Sequence, residues 1–182
     1  MPHKALFIDR DGIVNVDHGY VWKIEDFEFS NGILSLLKLF QDEGYLLFII
    51  TNQSGIGRGY YSEDDFQILT KWMLETLKKE GIAIQGVYHC PHTPDDKCQC
   101  RKPETGLIEQ ASEAYPINLK DSWMIGDKES DIQLAHNAGV ENTIYIGDKN
   151  ISDATLSFHS VRECKNYFQD NQDRILSKVT DK

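Results

Sequence analysis

The chain has 182 residues, 40% of them hydrophobic and 26% charged, which is enough for one sizeable core, and we expect a single domain over residues 1–182. Its formal net charge of −10 argues against nucleic acid and against an anionic membrane surface as the main partner. The longest wholly apolar stretch, residues 45–50, is too short to cross a bilayer, and no secretory leader is visible at the start. We expect a monomeric protein in the cytoplasm.

Apolar runs that predict buried strands alternate along the chain with segments of helical periodicity. Residues 15–29, which follow the first of these runs, are polar and aromatic without a clear period and predict an irregular loop. The residues after Gly147 are polar, and one amphipathic helix is predicted there, over residues 161–179. The predicted strands cover residues 6–8, 46–50, 87–88, 123–125 and 143–146.

Capping residues and glycines mark the boundaries of the other helices. Ser30 or Asn31 can cap a first helix that ends at Gly44. Ser62, with Asp65 on the following turn, resembles a capping box and predicts the start of a long second helix. Two shorter helices are predicted over residues 107–114 and 131–138.

This alternation predicts an α/β fold with a three-layer, Rossmann-like parallel sheet joined by right-handed crossovers. Ligands of such sheets bind at the carboxyl ends of the strands, near the topological switch point. No large insertion interrupts the pattern, so no separate cap domain is expected. Polar candidates follow the first, second and fourth predicted strands: Asp9 and Asp11, then Thr51 and Asn52, then Asp127.

Asp9 and Asp11 stand two residues apart where the first strand ends, so both carboxylates project to the same side of an extended chain. Held together they repel, and a cation or a shared proton must stabilise them. Mg²⁺ suits this arrangement, because it takes one or two carboxylates together with phosphate oxygens of a substrate. The pair therefore predicts a magnesium site that faces a phosphorylated small molecule.

A metal site of a different kind is predicted in the segment 90–100. In a reducing compartment, cysteines clustered with a histidine are typical of a metal site rather than of disulfides. Three thiolates and one imidazole make a closed tetrahedral zinc site with no open position for water, so we expect a structural ion that folds this loop. Cys164 stands apart and is expected to be an ordinary buried or half-buried thiol. The predicted zinc ligands are Cys90, His92, Cys98 and Cys100.

Arg101 and Lys102 follow the zinc loop directly. Because adjacent side chains of an extended segment diverge, the two cations should serve different groups of the substrate. Arg101 can form a forked contact with a second phosphate or a hydroxyl, whereas Lys102 acts as a point charge. The zinc loop would in this way fix two anion-binding groups at its exit.

Taken in order, these motifs resemble the haloacid dehalogenase (HAD) superfamily. The resemblance implies that Asp9 is the nucleophile, which forms an aspartyl-phosphate, and that Asp11 is the general acid/base. Mg²⁺ would then be held by Asp9, Asp127 and the main-chain carbonyl of Asp11, while Thr51 and Lys102 would hold phosphoryl oxygens. The matching residues are Asp9-Arg10-Asp11-Gly12, Thr51, Lys102 and the acidic motif at residues 126–131.

Within the superfamily, two enzyme families combine such a zinc loop with these motifs. Residues 15–21 and 51–59 resemble the D,D-heptose 1,7-bisphosphate phosphatases, which remove the 7-phosphate in the synthesis of ADP-heptose for lipopolysaccharide. The short spacing between His92 and Cys98 is instead similar to the histidinol-phosphate phosphatases. The heptose interpretation is favoured. The expected substrate contacts are Asp17, His18, Gly19, Tyr20, Asn52, Gln53, Ser54, Arg101 and Lys128.

A third hypothesis is a zinc-stabilised binding module without catalysis. The acidic net charge and the intact pair of Asp9 and Asp11 argue against it, and no basic stripe with interleaved aromatic residues is present. The expected partner is therefore a small sugar phosphate, with neither nucleic acid nor a membrane.

Overall fold

The computed structural model describes residues 1–176, and its centre is a six-stranded parallel sheet. The predicted α/β class is confirmed. The strands are β1 (Ala5–Ile8), β2 (Leu46–Asn52), β3 (Ile84–Cys90), β4 (Trp123–Gly126), β5 (Asn142–Ile146) and β6 (Leu156–Phe158). The helices are α1 (Ile33–Asp42), α2 (Ser54–Gly57), α3 (Glu63–Lys79), α4 (Gly106–Ala114), α5 (Glu129–Ala138), α6 (Val161–Asp170) and α7 (Asp173–Leu176).

The order of the strands places β1 at the point where the chain changes its direction of winding. The sheet runs β3-β2-β1-β4-β5-β6, so β1 lies between β2 and β4. Leu6 is in register with Leu47 on one side and with Trp123 on the other. Because all these strands are parallel, the residues that follow β1, β2 and β4 arrive at the same edge of the sheet.

Helices cover the sheet on both faces, which confirms the predicted three layers. In β1, Leu6 and Ile8 belong to one buried apolar cluster, whereas Ala5 and Phe7 belong to the other. Helices α1, α3 and α6 contribute to the first cluster, and α4 and α5 contribute to the second. Cys164 of α6 is fully buried, as expected. The unbroken apolar run of β1 is typical of a strand that is covered on both sides.

The capping box predicted for α3 is confirmed, whereas the cap predicted for α1 is wrong. The hydroxyl of Ser62 accepts a hydrogen bond from the amide of Asp65 at 3.0 Å, and the Asp65 carboxylate accepts one from the amide of Ser62 at 2.9 Å. Helix α1 begins instead after Gly32, which has a φ of +89° and no capping side chain. A Cβ at Gly32 would lie 3.1 Å from Cα of Arg162 in α6. The close approach of α6 therefore favours glycine at this start.

The carboxyl-terminal part of the chain differs from its prediction. The helix expected over residues 161–179 is interrupted, because α6 ends at Asp170 and the short α7 follows it; residues 177–179 lie outside the described residues. The carbonyl of Ile175 accepts a hydrogen bond from the Tyr45 hydroxyl at 2.7 Å, so this segment turns back onto the core. Strand β6 was not predicted, since its three residues carry too short an apolar pattern.

The long connections carry no additional folded unit. Residues 9–32 and 91–105 contain only short 3-10 turns, at Ile24–Asp26 and Pro94–Asp96, so the described part of the chain has no separate cap domain. None of the described helices has the length and apolar character needed to cross a membrane.

Candidate active site

Three strand ends bring predicted catalytic residues together at the carboxyl edge of the sheet. Asp9 follows β1, and its amide donates to the carbonyl of Ile125 in β4 at 3.0 Å. Thr51 lies at the end of β2, and Asp127 comes directly after β4. Asp9 is 5% exposed and Thr51 is 1% exposed. These side chains therefore meet in a largely desolvated place at the switch point of the sheet.

Lys102 reaches this place from the segment that follows β3. Its ammonium donates to Asp9 Oδ1 at 2.8 Å, to Asp131 Oδ1 at 2.6 Å and to the carbonyl of Ile50 at 3.1 Å. Burial acts to lower the pKa of Lys102, but the charges of Asp131 and Asp9 outweigh burial and raise it. Lys102 is thus a fixed positive charge beside the carboxylate of Asp9.

Asp131 is a site residue to which the sequence analysis assigned no role. A carboxylate oxygen of Asp131 lies within 4.8 Å of carboxylate oxygens of Asp9 and Asp127. Burial and the charge of Asp9 raise the pKa of Asp131 to about 6, against the opposing effect of Lys102. The one signal in the sequence was the place of Asp131 at the end of the acidic motif.

Asp127 is the third carboxylate of this cluster. Among the described residues, no hydrogen-bond partner reaches its buried Oδ1 atom, and burial together with the charge of Asp9 raises the pKa of Asp127 to about 8. Three carboxylates beside the ammonium of Lys102 leave an excess of negative charge. A divalent cation that prefers oxygen ligands neutralises such an excess, so these residues fit Mg²⁺.

Asp11 has different surroundings, because three N–H donors hold its carboxylate. Oδ1 accepts from Arg10 Nη2 and from Asn15 Nδ2, each at 3.0 Å. Oδ2 accepts from Gln53 Nε2 at 3.0 Å. The carboxylate of Asp11 is not part of the cluster formed with Asp127. The two aspartates of the motif are therefore in separate environments, which allows them separate chemical roles.

Asn52 and Gln53 border the site, and both use side-chain amide atoms in hydrogen bonds within the protein. The side-chain carbonyl of Asn52 accepts a hydrogen bond from the backbone amide of Lys102 at 3.0 Å and so ties β2 to the segment after the zinc loop. Gln53 is 3% exposed, and its amide contacts Asp11, Thr51 and Tyr61. Both residues are among the predicted substrate contacts.

A cavity of about 440 Å³ opens above these residues. His18 is not among its lining residues: its Nε2 atom lies 3.0 Å from Glu28 Oε2, and its side chain borders another cavity of about 450 Å³. Gly19 and Tyr20, from the same loop, do reach the first cavity. The expected substrate contacts that line it are Asp17, Gly19, Tyr20, Asn52, Gln53, Ser54, Arg101 and Lys128.

Three of the cations that line this cavity have no carboxylate partner within the described residues. Arg58, Arg101 and Lys128 all line it, and none of them forms an ion pair within the described residues. In a chain with a net charge of −10, such a local excess of positive charge favours an anionic ligand. Arg58 was not among the predicted contacts, although it lies in the segment 51–59 that carried the family resemblance.

The four predicted zinc ligands come together where β3 ends. Their sulfur and nitrogen atoms all lie within 4.8 Å of one another. Burial acts to raise the pKa of each of these thiols and does raise it in Cys90 and Cys100, whereas in Cys98 hydrogen bonds from the Arg101 amide and from neighbouring thiols outweigh burial and lower the pKa to about 7. A thiol that ionises near neutral pH is a good metal ligand. The set of three sulfurs and one imidazole nitrogen fits a closed zinc site, formed by Cys90, His92, Cys98 and Cys100.

Comparison with known proteins identifies the family. A family model of HAD-hydrolase-like proteins matches residues 99–145. The D-glycero-beta-D-manno-heptose-1,7-bisphosphate 7-phosphatase of Helicobacter pylori is 49% identical over 166 residues, which cover 91% of this chain and 94% of that protein. The chain belongs to the heptose-1,7-bisphosphate 7-phosphatase family. The D-glycero-alpha-D-manno-heptose-1,7-bisphosphate 7-phosphatase of Campylobacter jejuni is a further relative, 45% identical over 171 residues that cover 93% of this chain and 98% of its own.

A solved structure of this family agrees with the assignment. The D,D-heptose 1,7-bisphosphate phosphatase of B. bronchiseptica, crystallised with magnesium and phosphate, has a TM-score of 0.81 to this chain at 26% identity. The match covers 92% of this chain and 99% of that one. The expected HAD-like fold and the heptose branch are thus confirmed, and the histidinol branch is not supported.

Proposed function

We propose that the protein removes the 7-phosphate of D-glycero-D-manno-heptose 1,7-bisphosphate with Mg²⁺ as its cofactor. The observation that carries this proposal is the buried pair of Asp9 and Lys102, with 2.8 Å between carboxylate and ammonium, below a cavity with further cations at its rim. The family supplies the substrate class, since relatives 49% and 45% identical to this chain carry the heptose name.

In the first step, a carboxylate oxygen of Asp9 attacks phosphorus, and the bond from phosphorus to the 7-oxygen of the sugar breaks. Asp11 acts as the general acid in this step and gives a proton to the leaving oxygen. Lys102 and Thr51 hold phosphoryl oxygens and stabilise their charge. Asp9, Asp127 and the main-chain carbonyl of Asp11 would hold Mg²⁺, which supplies further positive charge at the phosphoryl group when bound.

In the second step, water hydrolyses the aspartyl-phosphate. Asp11, now a carboxylate, takes a proton from the water as the water oxygen attacks phosphorus, and Asp9 leaves as a carboxylate. Inorganic phosphate is released, and both side chains return to their starting states. The cycle therefore requires no reactant besides the phosphate ester and water.

The rest of the substrate would lie in the cavity above the reacting phosphate. Arg101, with Arg58 and Lys128, provides positive charge for the phosphate that is not cleaved. The side chains of Asp17 and Ser54 line the cavity and can form hydrogen bonds with the sugar hydroxyls. A bisphosphate has one phosphate for Lys102 and another for the cations at the rim of the cavity. A monoester would leave the rim cations without an anionic partner.

The zinc loop has a structural role in this proposal. The four ligands would hold Zn²⁺ in a closed site, and the loop leads directly into Arg101 and Lys102. Thiolate ligands are suited to the reducing cytoplasm, where we place the protein. We also propose that the enzyme acts as a monomer.

A substrate panel tests the proposed activity. Phosphate release is measured with Mg²⁺ on both anomers of the heptose bisphosphate, on histidinol phosphate and on common sugar monophosphates. We expect the heptose bisphosphates to have the highest kcat/KM and release to depend on Mg²⁺. A preference for histidinol phosphate would contradict the proposal.

Arg58 offers a separate test of how the second phosphate is bound. Arg58→Gln should lower kcat/KM for the heptose bisphosphate by about tenfold, because one charged hydrogen-bonding partner is lost. The variant should leave kcat/KM for the heptose 7-monophosphate within about twofold, since that substrate has no second phosphate. Arg162→Gln on α6 is the matched control and should change neither value. Equal losses on both substrates would contradict a role at the second phosphate.

A further inference from the structure

Gln53 and Tyr61 form a buried chain of hydrogen bonds that ends at Asp11. The Gln53 amide nitrogen donates to Asp11 Oδ2 at 3.0 Å and to Thr51 Oγ1 at 2.9 Å. The amide oxygen of Gln53 accepts a hydrogen bond from the Tyr61 hydroxyl. Gln53 is 3% exposed and Tyr61 is 6% exposed. Every polar atom of this side-chain amide is thus occupied inside the protein.

The neighbours of Tyr61 fix its ring in place. The ring stacks on that of Trp22, with 6.2 Å between the centroids and 14° between the planes. It also fills the space that a side chain at residue 55 would need, since a Cβ at Gly55 would come within 2.2 Å of Tyr61 Cε1. Burial raises the pKa of Tyr61 to about 12, so the hydroxyl keeps its proton and remains a donor.

This donor determines which end of the Gln53 amide faces Asp11. With the amide oxygen held by the Tyr61 hydroxyl, the amide nitrogen must face Asp11 and Thr51. Rotation of the amide by half a turn would place an oxygen against the carboxylate of Asp11 and would leave the Tyr61 hydroxyl without an acceptor. Such buried acceptor–acceptor contacts are costly, so one orientation is selected.

The two oxygens of Asp11 are held to different degrees. Within the part of the chain that the structure describes, Oδ1 accepts from two donors, Arg10 and Asn15, whereas Oδ2 accepts only from Gln53. The Oδ2 atom therefore retains an unoccupied lone-pair direction, while the Gln53 N–H fixes where this oxygen lies. A general acid works only when its proton-carrying oxygen is within hydrogen-bond reach of the leaving group.

We propose that Gln53 and Tyr61 are positioning residues that hold Oδ2 of Asp11 where it protonates the departing sugar oxygen and later deprotonates water. This role rests on the proposed phosphatase function. It assigns Gln53 to the orientation of the acid/base rather than to sugar binding, and it gives Tyr61, outside the recognised motifs, a part in the reaction.

The test compares two leaving groups in Tyr61→Phe, which keeps the ring but removes the hydroxyl. A sugar alkoxide needs the proton from Asp11, whereas p-nitrophenolate departs readily without it. We expect kcat/KM for the heptose bisphosphate to fall about tenfold or more, and kcat/KM for p-nitrophenyl phosphate to change by less than about twofold. Tyr60→Phe, the neighbouring tyrosine outside the cavity lining, is the control and should change neither value.

Hydrolysis of the phosphoenzyme, followed after rapid mixing and quenching, gives a second measurement in the same variants. It should slow in Tyr61→Phe, because Asp11 then acts as the base toward water, and Gln53→Leu should show the same pattern more strongly. Equal losses on both esters, or unchanged ester cleavage and phosphoenzyme hydrolysis, would overturn the positioning role. Wild-type protein that releases no phosphate from the heptose bisphosphate would instead contradict the proposed function itself.

Discussion

Gly12 leaves the space that Asp127 occupies, which illustrates how a single missing side chain shapes the site. The backbone at Gly12 has a φ of +93°, and a Cβ there would lie 2.1 Å from Asp127 Oδ2. Glycine is therefore required twice, once for its backbone conformation and once for the close approach of the carboxylate. Its place after Asp11 in the motif follows from both needs.

Gly12→Ala should impair the proposed Mg²⁺ site more than the fold. The new methyl group must displace the Asp127 carboxylate, so we expect the Mg²⁺ concentration for half-maximal activity to rise about tenfold or more. Gly44→Ala is the matched control, because Gly44 has a φ of +86° and a Cβ there would have no neighbour within 4 Å. Both variants carry the backbone strain, but the control should keep its Mg²⁺ requirement. Similar Mg²⁺ titrations for the two variants would contradict this account.

Separate roles for Asp9 and Asp11 predict different failures of the two asparagine variants. Asp9→Asn should abolish turnover and the phosphoenzyme, because the attacking oxygen is lost, with an expected fall of at least about a thousandfold. Asp11→Asn should slow hydrolysis of the phosphoenzyme, so that the adduct persists. Acid-quenched samples with labelled phosphate distinguish the two outcomes. Full activity in Asp9→Asn would disprove the covalent route.

The loop that carries the predicted zinc ligands has little secondary structure of its own. Residues 91–100 contain only one 3-10 turn, and the side chains that gather there are mainly the predicted ligands. A metal can supply the folding energy that so short and polar a segment lacks. The same segment positions Lys102, whose amide is bound by Asn52.

Cys98→Ser should lower thermal stability and activity together. One Zn²⁺ per chain is expected in the wild-type protein by metal analysis, and loss of a ligand should remove most of it. Misplacement of Lys102 by about an ångström can cost on the order of a hundredfold in activity. Cys164→Ser is the control: it disturbs a buried thiol of α6 and should lower stability while zinc stays bound. Zinc-free protein with full activity and unchanged melting would show that these residues are only reduced thiols.

Across the whole molecule, the electrostatics of the site oppose the stability of the metal-free fold. The chain carries a net charge of −10, and its carboxylate cluster contains the buried Asp9 and Asp131 and the half-buried Asp127 beside the ammonium of Lys102. The raised pKa of Asp127, about 8, means that the folded state holds a proton which the unfolded chain releases near pH 4. Folding is therefore opposed progressively as the pH rises from about 4 to about 8.

In magnesium-free buffer, Asp127→Asn should gain thermal stability relative to the wild type as the pH rises from about 5 to about 8. The neutral amide avoids the cost of ionising the buried carboxyl, and a difference of about 1 kcal/mol shifts Tm by about 2–4 °C in a protein of this size. Added Mg²⁺ should stabilise the wild type but not the variant. Melting curves over this pH range provide the measurement, and a Tm difference that is independent of pH would count against the raised pKa.

Features that depend on local spacing could be predicted from the order of the amino acids alone. Alternation of apolar runs with helical periods predicted the parallel sheet, and the capping box of Ser62 and Asp65 marked the start of α3. The pair of Asp9 and Asp11 and the cluster in residues 90–100 were visible for the same reason. Strand period, capping and ligand spacing are properties of neighbouring residues, so they can be recognised without the fold.

The hydrogen-bond partners of residues that are far apart in the sequence became visible only in the folded chain. In the folded chain, Lys102 donates to Asp131 and the Gln53 amide donates to Asp11. His18 contacts Glu28 and does not line the cavity above Asp11. The amide of Gln53 lies 42 positions from Asp11 along the chain, so no local pattern distinguishes an amide that binds substrate from one that holds an acid. A side chain's partner depends on which elements pack against it and on which of its polar atoms must be satisfied after burial.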